Sequence, residues 1–234
     1  MIGIIGALAD EIKEISLLLE NKHLTVSGGL EFTVGTLEGQ DVVLCVCGMG
    51  KVFAAMAAQT MINEFAPELI INVGAAGTLS KDLHIGDVAI GEKTLQHDMD
   101  NSPLGFKKGE IAELASVYFP CDKDMVELLC ECAGELSLSH KKAVIATGDV
   151  FVNSTELKEK ISSQFGAEVA EMEGAAIGQV CTFRATPYAV VRVISDEADN
   201  SAPENFPAFL NKVIEDATSL IRLFCKKRAE GYKQ

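Results

Sequence analysis

Residues 68–77 read ELIINVGAAG, a short apolar run that ends in a glycine-rich tetrapeptide. An apolar run of this length, bounded by turn residues, is typical of a strand that is buried on both faces. The segment before it, 48–65, is rich in Ala and Met and has the pattern of a helix, which Pro67 ends. Strand and helix patterns alternate in this way along the whole chain. The alternation predicts an α/β protein with a mostly parallel sheet covered on both faces, one three-layer domain over residues 1–234.

The order of the predicted elements follows from the same patterns. Apolar runs predict strands at 1–7, 30–37, 41–46, 68–73, 87–91, 94–97, 142–147, 167–171 and 188–194. Helical periodicity predicts helices at 10–20, 48–65, 123–136, 155–164, 174–183 and 206–226. Residues 99–118 contain Pro103, Gly105 and Gly109 and are predicted to be loop-rich.

Composition excludes several classes of function. The chain has 20 Lys and Arg against 34 Asp and Glu, a formal net charge of −14, which argues against a nucleic-acid partner. No apolar run reaches the roughly 18 residues of a membrane helix, and the N-terminal residues resemble a strand more than a signal peptide. Seven cysteines without a C-x-x-C pair favour reduced, mostly buried thiols. We therefore expect a cytoplasmic protein that binds neither nucleic acid nor membrane.

Charged residues follow several predicted strands, where open α/β sheets bind their ligands. Glu11 follows the first strand, and Glu171 and Glu173 stand two residues apart at a strand end, where like charges are costly unless paired or used. Arg192 interrupts an apolar strand and needs a carboxylate partner if buried, and Asp196 ends that strand. This set of charged residues predicts a two-acid hydrolytic site, made of Glu11, Glu173 and Asp196 with one arginine. In such a site one carboxyl protonates the leaving group and another activates water.

Simpler interpretations of these residues stay open at this level. Glu11 can be an ordinary acid in the first turn of a helix, where the helix dipole stabilises it. The glycines in 74–77 either let a backbone approach a ligand or form a tight turn. The G-x-G turn at 48–50 is not a dinucleotide fingerprint, because Phe53 stands at the third glycine position. The chain has no G-x-S-x-G or H-E-x-x-H motif, which favours acid–base catalysis without cofactor, metal or covalent intermediate.

Several short stretches keep a family's order and spacing from the first strand to the last. They are Gly3–Ala7 with Glu11, Gly48–Val52, Ile71–Gly77, Gly86-Asp87, His97–Asp100, Gly148–Val152, Glu171–Gly174 and Arg192–Asp196. Together they resemble the bacterial 5′-methylthioadenosine/S-adenosylhomocysteine nucleosidases of the nucleoside phosphorylase superfamily. The resemblance implies one α/β/α domain around a twisted, mostly parallel mixed sheet, a homodimer, and hydrolysis of an N-ribosidic bond to adenine and a 5-thio-substituted ribose in methionine salvage.

The resemblance also implies a role for each site residue. Asp196 matches the acid that protonates adenine N7, and Glu11 matches the base that activates water. Glu173 matches the carboxylate that holds the ribose hydroxyls and offsets positive charge, with Arg192 positioning water and carboxylates. The remaining implied substrate contacts are Phe151 and Val152 at adenine, Met172 under the ribose, Leu8, Met49 and Phe206 at the 5′ substituent, and Gly77, Glu171, Ser195, Ala75 and Leu104.

Departures from the family pattern leave the 5′ preference open. Ala75 stands where some members carry Ser, and Leu104 stands where some carry an aromatic residue. One rival function is a phosphorylase, which needs arginines for a phosphate site, and the chain has no Arg before Arg184; Lys51 alone is a weak substitute. Another rival is a nucleoside-binding protein without catalysis. The sequence does not rank methylthioadenosine, adenosylhomocysteine, 5′-deoxyadenosine and futalosine-type nucleosides.

Overall fold

The computed structural model describes residues 1–231, without the side chains at positions 203, 205–207 and 210. The strands in this part of the chain are β1 (Ile2–Gly6), β2 (Glu20–Ser27), β3 (Leu30–Leu37), β4 (Gln40–Val46), β5 (Leu69–Thr78), β6 (Val88–Gln96), β7 (Tyr118–Pro120), β8 (His140–Thr147), β9 (Val169–Glu171) and β10 (Tyr188–Asp196). The helices are α1 (Ala9–Leu18), α2 (Lys51–Phe65), α3 (Lys123–Glu135), α4 (Thr155–Phe165), α5 (Gly174–Arg184) and α6 (Ala202–Ala229).

These strands join one mixed sheet in the order β10-β6-β8-β9-β5-β1-β4-β3-β2, with β7 paired to β6. Neighbours in the centre run parallel, namely β4 with β1, β1 with β5, β5 with β10, β6 with β8 and β8 with β9. The pairs β2–β3, β3–β4, β5–β9, β6–β7 and β6–β10 are antiparallel. Because β10 pairs with both β6 and β5, the strands β5, β10, β6, β8 and β9 close into a ring from which the other strands extend as an open sheet.

The helices form the two outer layers that the sequence predicts. Helices α1 and α3 each pack against α6, and α2 packs against α5. The central strands β1 and β10 are buried at every position because they have strands on both sides and helices above them. Arg192 is the one charged residue of the β10 interior that is fully buried.

The structure corrects several local predictions, among them the start of the last helix, which lies at Ala202 and not at 206. Residues 74–77 are not a turn after a strand but part of β5, and 87–91 with 94–97 are one continuous strand, β6. The predicted end of the first helix at residue 20 is wrong, because β2 begins at Glu20 and runs as an exposed edge strand. Strand β10 extends to Asp196, two residues beyond the predicted end. Of the helices in the described residues, none combines the length and apolar character that a membrane crossing requires.

Candidate active site

One cavity lies where the carboxyl ends of β1, β5 and β10 meet. These strands run parallel, so the residues at their ends share one edge of the sheet. Predicted site residues that line the cavity are Leu8, Glu11, Met49, Ala75, Gly77, Phe151, Val152, Glu171, Met172, Glu173, Ser195 and Asp196. The other lining residues are Ala7, Ala76, Val150, Ala170 and Ala198. Sequence reasoning missed these five, since small apolar side chains carry no chemical signal.

Three predicted residues stand apart from this lining. Arg192 lies behind the cavity wall, fully buried, and contacts the carboxylates instead. Leu104 ends a short 3-10 turn and is 76% exposed, so within this chain it does not contact the cavity. Phe206 lies in α6, and its side chain is outside the described residues.

The carboxylate of Glu11 is fixed by three backbone amides. Its Oε2 accepts hydrogen bonds from the N–H groups of Ala7 at 2.8 Å and Leu8 at 2.9 Å, and Oε1 accepts from the N–H of Ala75 at 3.0 Å. A Cβ atom at position 74 would lie 2.6 Å from Glu11 Oε1 and would also meet Arg192 Nη1. Gly74 therefore sits inside the strand because only a residue without a side chain lets these two charged groups converge there.

Arg192 is held at the centre of a buried charge cluster. Its Nη2 donates hydrogen bonds to Glu171 and to Asn72, and Nη2 lies 3.5 Å from Glu173 Oε2. The Asn72 amide also donates to the carbonyl of Ile5 at 2.9 Å, so it ties Arg192 to β1. Burial disfavours the charge, but the nearby carboxylates, Glu171 first, raise the pKa of Arg192 above its ordinary value. The predicted need of this arginine for a carboxylate partner is thus met.

Glu171 supports the start of α5. Its carboxylate accepts from the N–H groups of Glu173 at 3.0 Å and Gly174 at 2.7 Å, and from the Thr147 hydroxyl. Amides at a helix N-terminus favour a negative charge at this place. With Arg192 bound as well, Glu171 has protein partners at both oxygens, and its position fixes where Glu173 stands.

Glu173 is the carboxyl with the most perturbed acidity in the cavity. Its Oε1 accepts a hydrogen bond from the Gly50 N–H at 2.9 Å. Burial, and then repulsion from Glu171, raise the pKa of Glu173 to about 7, against the opposing effect of Arg192. The surroundings of Glu173 therefore favour its protonated form more than solvent does.

Asp196 reaches the cavity because β10 bulges beside it. The register between β10 and β5 shifts after Ile194, so Ser195 is an extra residue and Asp196 pairs with Gly77. A Cβ at position 77 would lie 2.6 Å from Asp196 Oδ1, which explains the glycine. Asp196 Oδ2 accepts from the Ser195 hydroxyl at 2.8 Å, and Oδ1 accepts from the Ala198 N–H at 2.9 Å. Burial nevertheless raises the pKa of Asp196, as suits a general acid.

Sequence reasoning missed three supporting residues. Asn72 and Thr147 bind the charge cluster from inside strands β5 and β8, and the Gly50 amide reaches Glu173 from the start of α2. A polar Asn72 inside an apolar strand was the one available signal, of the same kind that pointed to Arg192.

Comparison with known proteins places this chain in a family. A sequence model of the phosphorylase superfamily matches residues 1–226. The 5′-methylthioadenosine/S-adenosylhomocysteine nucleosidase of Aeromonas salmonicida is 36% identical over 222 residues, which are 94% of this chain and 96% of that protein. The chain belongs to this nucleosidase family. The nucleosidase of Staphylococcus aureus is also 36% identical, over 94% of this chain and 97% of its own.

Solved structures of similar proteins share the fold. The nucleosidase of Neisseria meningitidis, crystallised with methylthio-immucillin-A, matches with a TM-score of 0.93 and 33% identity over 97% of this chain and 98% of its own. The futalosine hydrolase of Helicobacter pylori matches with a TM-score of 0.91 and 33% identity over 95% and 96%. The predicted fold class and the family resemblance are confirmed.

Proposed function

We propose that the protein hydrolyses the N-ribosidic bond of 5′-methylthioadenosine and S-adenosylhomocysteine, releasing adenine and a 5-thio-substituted ribose. The observation that carries the proposal is the pair Glu11 and Asp196, two buried carboxyls that line one cavity in different environments. Such a difference divides acid and base roles between two groups of the same type. The names and ligands of the relatives supply the substrate class.

Asp196 acts as the general acid in this scheme. A neutral purine is a poor leaving group, and protonation at N7 lets the bond between C1′ and N9 break toward an oxocarbenium-like state. The raised pKa of Asp196 keeps a proton available closer to neutral pH. Gly77 and the bulge at Ser195 set the position from which Asp196 donates it.

Glu11 acts as the base that orients and deprotonates the attacking water. Its Oε1 and Arg192 Nη1 both lie close to Gly74, so the arginine supports, from behind the cavity wall, the carboxylate that holds the water. Glu173 faces the ribose hydroxyls and offsets the positive charge that develops on the sugar. Phe151 and Val152 contact the adenine, Met172 packs under the ribose, and Leu8 and Met49 line the 5′ end, as the resemblance implies.

The site favours hydrolysis over phosphorolysis. A phosphate subsite needs free amides or cations, yet the amides of Ala7, Leu8 and Ala75 all donate to Glu11. Lys51, the basic residue closest to the glycine turn, bonds to Asp98 at 2.7 Å and to Gln96 at 3.1 Å. These three amides and the Lys51 ammonium group are therefore engaged within the protein.

The protein acts as a cytoplasmic homodimer of one-domain subunits in this proposal. Helix α2 presents an apolar face beside the cavity, with Val52 70%, Phe53 51% and Met56 43% exposed. An exposed apolar patch of this kind is typical of a subunit interface. Leu104, exposed on the loop after β6, would then face the partner's 5′ pocket. The seven cysteines are free, which suits a reducing compartment.

The test is the product formed from methylthioadenosine with and without millimolar phosphate. We expect adenine and free methylthioribose at a rate that phosphate does not change. Asp196→Asn should lower kcat by at least about 100-fold, the usual size of a general-acid contribution. Asp41→Asn, a change to an exposed aspartate at the start of β4, is the control and should leave kcat unchanged. Formation of methylthioribose-1-phosphate, or near-normal turnover by Asp196→Asn, would refute the proposal.

A further inference from the structure

Three charged residues close a ring of hydrogen bonds beside the cavity. The Lys51 N–H donates to Asp149 Oδ1 at 2.8 Å, and the Asp149 N–H donates to Asp98 Oδ2 at 3.0 Å. Lys51 Nζ donates to Asp98 Oδ1 at 2.7 Å and closes the ring. Each residue thus binds both of the others, through two main-chain amides and one ammonium group.

The members of the ring come from three segments that are far apart in sequence. Lys51 is the first residue of α2, Asp98 follows the end of β6, and Asp149 follows the end of β8. None of the three lines the cavity. The ring is therefore a junction between loops and is not itself a ligand site.

The neighbours of the ring in sequence do line the cavity. Gly50, next to Lys51, donates its N–H to Glu173 Oε1 at 2.9 Å, and Phe151, two residues after Asp149, forms part of the cavity wall. Gly50 has φ +96°, and a Cβ there would lie 3.0 Å from Asp149 Oδ1, so helix α2 and the loop are in close contact. A shift of Lys51 or Asp149 would therefore move two things together. One is the Gly50 N–H that binds Glu173, and the other is the loop that carries Phe151.

The ring is better anchored than an ordinary surface ion pair. Exposed Lys–carboxylate pairs contribute little because the side chains move and solvent screens them. Here the Lys51 and Asp98 side chains are only 19% and 29% exposed, and the acceptors are also bound by fixed backbone amides. These hydrogen bonds, from Lys51 first, hold the pKa of Asp98 below its usual range although burial opposes ionisation.

We propose that Lys51, Asp98 and Asp149 form a positioning ring that holds the Gly50 amide on Glu173 and the Phe151 loop against the adenine. The inference rests on the proposed function, because it assigns the ring to turnover of a nucleoside. The ring residues do not touch the substrate. They act through Gly50 and the loop at 148–152, so they affect both the affinity for adenine and the rate of bond cleavage.

The test compares Lys51→Met with Lys141→Met. Lys141 is a matched control, since it bonds to Glu168 at 2.6 Å and lies at the opposite end of β8. With methylthioadenosine as substrate, Lys51→Met should lose on the order of ten- to a hundredfold in kcat, the size expected when reacting groups shift by a fraction of an ångström to one ångström. Its affinity for adenine, measured by calorimetry, should fall as well. Its thermal midpoint should stay within about 3 °C of the wild type, and Lys51→Arg should recover most of kcat.

A double variant tests whether the ring acts as a unit. Asp98→Ala should lower kcat to a similar extent, and adding Lys51→Met to it should cause little further loss, because the ring is already open. The milder Asp98→Asn serves if either variant fails to fold. If the wild type turns over substrate and Lys51→Met has the same kcat as Lys141→Met, the inference is overturned. It is also overturned if the kcat losses of Asp98→Ala and Lys51→Met multiply in the double variant. Absence of turnover in the wild type would instead refute the proposed function.

Discussion

Replacing Glu173 by Gln should change how the stability of the folded protein depends on pH. The folded state raises the pKa of Glu173 from its ordinary 4.5 to about 7 through burial and repulsion from Glu171. The folded protein therefore binds this proton more tightly than the unfolded chain does. The favourable contribution is complete below pH 4.5 and is lost as the pH rises through 7. Gln keeps an acceptor for the Gly50 N–H but cannot ionise.

The size of the effect follows from this shift. At 1.36 kcal/mol per pKa unit, the difference in free energy of unfolding between Glu173→Gln and wild type should move by about 2–3 kcal/mol in favour of the variant from pH 5 to pH 8. A folded pKa one unit lower would halve the change. Urea unfolding followed by circular dichroism at pH 5 and pH 8, at equal protein concentration, measures it. Parallel stability curves for the two proteins would refute the account of Glu173.

Three further predictions concern other parts of the structure. Gly77→Ala should lower kcat at least about tenfold in a steady-state assay, since the added Cβ lies 2.6 Å from Asp196 Oδ1 and must displace the acid; unchanged kcat would contradict this geometry. Ser195→Ala removes a hydrogen bond that lowers the pKa of Asp196, so the alkaline limb of kcat/KM should move to higher pH, and a shift to lower pH would be the wrong sign. Phe53→Glu should give monomers in light scattering, whereas Leu24→Glu on the exposed edge strand should not; dimers in both would place the interface elsewhere.

The errors in the predicted fold have local physical causes. The edge strand β2, ENKHLTVS, has mostly exposed residues, so it lacks the apolar run by which buried strands are recognised. Strand β6 was divided at Glu92 and Lys93 because charged residues interrupt its apolar run. The glycines of 74–77 indicate a turn when read alone. In the folded chain they make room for Glu11, Arg192 and Asp196 inside a strand.

The site was partly predictable because strands that end in charged residues are distinctive in a sequence. The predicted acids are those that stand just after apolar runs, namely Glu11, Glu173 and Asp196. The arginine that interrupts the last of these runs adds a second signal. The roles of Asn72, Thr147 and the Gly50 amide depend on which strands and helices are neighbours, through contacts 24 to 123 residues apart. Local periodicity does not contain that information. The bulge that turns Asp196 toward Gly77 is likewise a property of the pairing between two strands.

The closure of β5, β10, β6, β8 and β9 into a ring has a consequence for how the chain folds. β10 is the last strand to leave the ribosome, and it must enter between β5, which is more than 100 residues earlier, and β6. Until then Glu11, Glu171 and Glu173 have no Arg192 to neutralise them. Contacts of such long sequence separation slow folding. Docking of β10 thus completes the sheet and brings in both Arg192, the counter-charge, and Asp196, the general acid. We therefore expect no compact folding intermediate that holds the three carboxylates together without β10.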